Sequence, residues 1–155
     1  MKRRLLFLGA SIAGLGLIAA CGGGGGNSNP VAPPATAGIA GAVTVQPGSP
    51  ADPTNARAAV YTSLADFQND AWVKQAAVQR SGSGWTFAID LNVGNYYVDV
   101  WRDNNNNGVI DGGDIYGYYT TGQGGAPAPV VVNQSQMTSV SLQVRLNKVQ
   151  GKVAR

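Results

Sequence analysis

The sequence predicts an all-β domain: a single antiparallel β-sandwich of about seven to eight strands, with one long loop inserted between two of them and a disordered tether ahead of the first. Three observations lead there. Across residues 38–147, short apolar alternations are divided by Gly, Pro, Asn and Ser clusters, the pattern of strands and turns. Two stretches alternate without a fault, Trp85, Phe87, Ile89, Leu91 and Val140, Leu142, Val144, Leu146, so each presents one apolar face. About 110 residues suffice for one core of sandwich size and leave no room for a second.

Residues 1–20, MKRRLLFLGASIAGLGLIAA, open with Lys2, Arg3 and Arg4, continue with an apolar run broken by glycines, and end in small residues. This is the layout of a secretory signal peptide, too short and too glycine-rich for a stable membrane span of about 20 apolar residues. Ile18, Ala19, Ala20 and Cys21 resemble the bacterial lipoprotein box, an aliphatic residue and two small ones before a lipidated cysteine. The resemblance implies a chain held to a membrane through lipidated Cys21, in the bacterial cell envelope. Cys21 is the only cysteine, so no internal disulfide can form. Residues 21–37, rich first in Gly and then in Pro, have nothing to bury and read as a flexible linker with an end-to-end distance of roughly 20 to 25 Å. Residues 148–155 form a short basic tail.

Without Lys2, Arg3 and Arg4, eight basic residues remain against eight aspartates. A near-neutral chain with scattered cations has no nucleic-acid footprint. The chain also contains neither histidine nor glutamate. That removes the usual general base near neutral pH and any Ser/His/Asp or Cys/His arrangement, and zinc loses its main ligands. The composition therefore points away from an enzyme.

Further strands are expected over 39–45, 56–61, 72–79, 96–101, 115–120 and 129–132. Ser63 and Asp66 form a weak capping pair, with Leu64 and Phe67 on one helical face, which predicts a single helical turn over 63–69. The lack of Gly or Pro over 56–80 leaves open a longer helix reaching Gln79. The NVGN segment before Tyr96 predicts a hairpin, with Gly94 at a positive φ, and a return strand with Tyr96, Val98 and Val100 on one face. The run SGSGWTFAIDLNVGNYYVDVW, with NARAAVYTSL before it, resembles carboxypeptidase-regulatory-like and transthyretin-like domains, which implies a β-sandwich and carries no particular activity.

The inserted loop lies in WRDNNNNGVIDGGDIYGYY. With Asp103 at position 1 of a twelve-residue calcium loop, Asn105 falls at 3, Asn107 at 5, Gly108 at 6, the Val109 carbonyl at 7, Asp111 at 9 and Asp114 at 12. Gly108 supplies the sharp reversal required at position 6, and Ile110 is placed to pin the loop to the domain. The pattern resembles the calcium loops of EF-hands, dockerins and thrombospondin-type repeats, which implies a bound Ca²⁺. Three carboxylates and two neutral amides predict a weak site, with a dissociation constant of about 10⁻⁴ to 10⁻³ M. The flanks read as strands, so the ion would staple the loop rather than switch a helix pair. Tyr97, Trp101 and Tyr118 nearby are candidates for stacking on a glycan or protein partner. The expectation is a non-enzymatic surface lipoprotein whose calcium-stabilised sandwich serves as a structural or adhesive module, or alternatively binds a carbohydrate or peptide.

Overall fold

A computed structural model describes residues 36–122 and 125–147. The expected signal peptide, Cys21, the expected linker up to residue 35 and residues 148–155 lie outside the described residues. Among the described residues, no helix is long and apolar enough to cross a membrane.

The chain is all-β. In order, its elements are β1 (Gly38–Val45), β2 (Arg57–Tyr61), α1 (Leu64–Gln68), β3 (Lys74–Ala77), β4 (Gln79–Ser81), β5 (Gly84–Asp90), β6 (Gly94–Arg102), β7 (Ile115–Tyr118), β8 (Val130–Val132) and β9 (Met137–Leu146). They form one sheet in the order β3-β2-β6-β7-β9-β1-β5-β4, and β8 pairs with the start of β6. The expected strand over 72–79 is two strands, which makes nine among the described residues. β3 pairs with β2, β4 pairs with β5, and Val78 between them is buried and donates its N–H to the Ala56 carbonyl. One bent run of chain thus joins the two ends of the sheet, which is nearly barrel-shaped.

The sheet is mixed rather than wholly antiparallel. β1 and β9 run parallel over eight register pairs, from Gly38↔Met137 to Val45↔Val144. Alternation specifies which side chains face inward, not the direction of a neighbour, so the parallel pair left no mark in the sequence. The expected hairpin over Leu91–Tyr96 is absent for the same reason. β5 pairs with β1 and β4, whereas β6 pairs with β2, β7 and β8. The intervening residues cross from one part of the sheet to another, and Gly94 opens β6 without a positive φ.

Inward-facing Ile39, Val43, Phe87, Ile89, Val98, Val100, Leu142 and Val144 share one core, with Trp85, Leu91 and Leu146 packed at its rim. A smaller cluster lies on the other face of β2 and β6. There α1 lays Phe67 against Ala59 and Tyr61, flanked by Tyr97 and Tyr118. The helix is the single turn expected: Ser63 Oγ accepts the N–H of Asp66 at 3.0 Å as its N-cap. Leu64 points outward at 41% exposure, so Phe67 alone anchors the turn.

Candidate metal loop and its aromatic flank

β6 and β7 pair down to Arg102↔Ile115, which fixes the base of the loop between them. Arg102 turns away from the loop, donating to the Asp52 carbonyl at 2.8 Å. Inside the loop, the Asp103 carboxylate accepts the N–H of Asn107 at 3.3 Å and of Gly108 at 2.7 Å, folding position 1 onto positions 5 and 6. Gly108 sits at φ +74°, the left-handed backbone that its position demands and that a side chain would strain. Asn105 Oδ1 accepts the N–H of Asn107 at 3.1 Å, and Asn107 Oδ1 accepts the N–H of Val109 at 2.8 Å, two successive Asx turns. Both amides then donate to Asp111, Asn107 at 2.6 Å and Asn105 at 3.2 and 3.3 Å. Ile110 is buried at 5% exposure.

Asp103, Asn105, Asn107 and Asp111 are thus brought together, with Val109 tied in through its N–H. Asp114 is not. It is fully buried, with Oδ1 accepting from the Asn104 N–H at 3.0 Å and Oδ2 from the Trp101 indole at 3.0 Å and the Asp111 N–H at 3.2 Å. Among the described residues, no three carboxylate, imidazole or thiol side chains gather closely enough to hold a metal by themselves. It is the amide nitrogens of Asn105 and Asn107 that face Asp111, while their oxygens accept backbone N–H groups. The residue types gathered here, two carboxylates and two amides, carry hard oxygens, which suit Ca²⁺ and no soft metal. The amide hydrogens on Asp111 partly neutralise it, as a cation would do more strongly.

Two residues beyond the expected set hold this arrangement. Asn104 donates its amide to the Gly113 carbonyl at 2.7 Å. Asn147, just past β9, donates its side chain to the Asp111 carbonyl at 2.9 Å and its N–H to the Asp114 carbonyl at 2.7 Å, while its own carbonyl accepts from Gly113. A lone Asn at the end of an apolar alternation carries no signal of such a clasp, because its partners lie 33 to 36 positions earlier.

The aromatic residues divide. Trp101 is buried at 6% exposure, with the Arg57 guanidinium 4.6 Å from its ring centroid, so its edge and one face are already engaged. Tyr97 is half-buried against Phe67, with centroids 6.2 Å apart. Tyr118 also touches Phe67, at 5.9 Å, and its half-exposed ring lies beside that of Tyr116 at 5.8 Å. From Trp101 a polar chain runs inward. Arg57 lies 3.5 Å from Asp70, whose Oδ1 is 2.8 Å from the Tyr61 hydroxyl, itself 3.2 Å from both oxygens of buried Asp99.

No family model, curated protein or solved structure matches the chain. The likenesses to the lipoprotein box, to calcium loops and to carboxypeptidase-regulatory-like domains therefore rest on the motifs themselves.

Proposed function

We propose that this chain is a non-enzymatic lipoprotein of the bacterial cell envelope, anchored through Cys21, whose β-domain is a structural or adhesive module stapled by a weakly bound Ca²⁺. The observation that carries the metal reading is the Asp103–Asp111 loop. Its first carboxylate is folded onto the fifth and sixth N–H groups, its Gly108 is at positive φ, and the side chains of Asn105 and Asn107 lie within hydrogen-bond reach of Asp111 through their amide nitrogens. Asp103, Asn105, Asn107, the Val109 carbonyl and Asp111 would hold the ion. Asp114, the sixth expected ligand, is spent on N–H donors, in keeping with low affinity. When bound, the ion would neutralise Asp103 and Asp111, whose mutual repulsion otherwise loosens the strand connection.

The sheet is further read as a sandwich of the carboxypeptidase-regulatory-like kind, β3-β2-β6-β7 facing β9-β1-β5-β4. Support comes from the thin seam between those halves, where β7 and β9 share only Ile115↔Leu146 and Tyr116↔Arg145.

Thermal melting of the full chain in detergent tests the metal. Calcium a few-fold above its dissociation constant adds about 1 kcal/mol, and about 2.7 kcal/mol at 100-fold. For a domain of this size, 1 kcal/mol raises the melting temperature by about 5 °C. Asp103→Ala is expected to abolish the difference between calcium and chelator, and equal curves for the parent chain would refute the assignment. Radiolabelled palmitate is expected on the parent chain and not on Cys21→Ser; label surviving in that variant would refute the anchor.

A further inference from the structure

We infer that the outer face of β7, β9 and β1 is a binding groove for an acidic oligosaccharide, a chain of sugar rings bearing carboxylates. This deepens the adhesive reading and rests on it. The groove, half open to solvent, holds about 550 Å³ and is floored by side chains from the three strands, Tyr116 and Tyr118 from β7, Ser141, Gln143 and Arg145 from β9 and Thr44 from β1, with Gln46 just beyond it. It runs on into a smaller hollow of about 350 Å³ that shares Gln46 and Arg145. Residues two apart on a strand share a face, so the two tyrosines stand side by side, their rings tilted by 51°. Gly117 between them turns inward, where a Cβ would lie 2.2 Å from the Gln143 carbonyl oxygen. Its lack of a side chain lets β7 lie close to β9 and keeps both rings over the same floor.

Three features select the ligand. Half-exposed tyrosine rings flanked by amides and a hydroxyl match a sugar, which has an apolar C–H face and a rim of hydroxyls. Among the described residues, no acidic side chain lines the groove, and Arg145, which is exposed, makes no ion pair or side-chain hydrogen bond. A guanidinium so placed is suited to a carboxylate, which it can grip with two parallel hydrogen bonds. Strand addition by a peptide is disfavoured at β1, which is paired on both sides, and at the ends of β7 and β9 closed by Ile115↔Leu146 and Tyr116↔Arg145. A nucleic acid would require more than one cation.

The test is calorimetric titration of the full chain in detergent and calcium. The probes are hexasaccharides of galacturonate, of mannuronate and of alternating glucuronate and N-acetylglucosamine, each beside its methyl ester. The expected result is that at least one acid binds tenfold or more tighter than its ester, that Arg145→Gln removes this preference, and that Tyr116→Ala weakens acid and ester alike. Both variants alter half-exposed or exposed side chains, and circular dichroism is expected to show them folded. Failure of all three acids to bind, equal affinity for acid and ester, or a preference surviving Arg145→Gln overturns the inference. The calcium melting curves report on the loop and not on this groove, so the two readings can fail separately.

Discussion

Asp114→Asn separates a structural lock from a metal ligand. The carboxylate accepts three N–H groups in full burial, two on Oδ2 and one on Oδ1. Asparagine has the same shape but only one oxygen. Keeping that oxygen toward Trp101 and Asp111 turns the new NH₂ on the Asn104 N–H, donor against donor. The two retained bonds also change from a charged to a neutral acceptor, a loss of about 1 kcal/mol each, and the third, worth about 1.5 to 3 kcal/mol, disappears. Relief from burying a charge returns part of this. The net loss is about 2 to 3 kcal/mol, a large share of the roughly 5 to 15 kcal/mol that holds such domains folded. Urea unfolding followed by tryptophan fluorescence measures it, once in calcium and once in chelator. The loss is expected to be the same in both, and a cycle with Trp101→Phe should show coupling above about 1 kcal/mol. A loss confined to the calcium arm, or none in either, would refute the reasoning and return Asp114 to the ion.

Three more outcomes follow from the geometry. Gly108→Ala forces a side chain into φ +74° and is expected to lose about 1 kcal/mol in chelator, with a further loss of calcium response in the same melts. Arg57→Ala uncovers one face of Trp101 and breaks the contact with Asp70, for about 1 kcal/mol, and should red-shift the indole emission. Hydroxyls of Thr62 and Ser63 hydrogen-bonding to Asp66 hold its carboxyl below the ordinary value of 3.8. A depressed folded value means this contribution is complete above that value and fades as pH falls through the folded one. Asp66→Asn is therefore expected to flatten the acid limb of a stability-against-pH curve below about pH 4 and leave its slope near pH 7 unchanged.

The elements were legible in the sequence where a period decides them. The alternations at Trp85–Leu91 and Val140–Leu146 placed β5 and β9, and Ser63 with Asp66 placed the short helix. Partnership was not legible, because the same inward face serves a strand beside its neighbour or one across the core. That is why β5 and β6, consecutive and both apolar on one side, read as a hairpin and are not one. In the loop, spacing brought out Asp103, Asn105, Asn107, Asp111 and the turn at Gly108. It could not reveal that Asp114 is turned to an indole thirteen residues earlier, since an aspartate at position 12 looks alike whether it faces an ion or an N–H. The Asn147 clasp and the groove across β7, β9 and β1 arise from contacts between distant segments and have no local pattern.

The parallel pairing of the first strand with the last has a mechanical consequence. Tension entering at Gly38 and resisted elsewhere on the body pulls β1 lengthwise along β9. The hydrogen bonds of their eight register pairs are then loaded together, in shear, rather than peeled apart one after another. A domain wired this way resists a pull on its N-terminal strand better than an end-to-end hairpin of equal thermodynamic stability, whose bonds open one at a time.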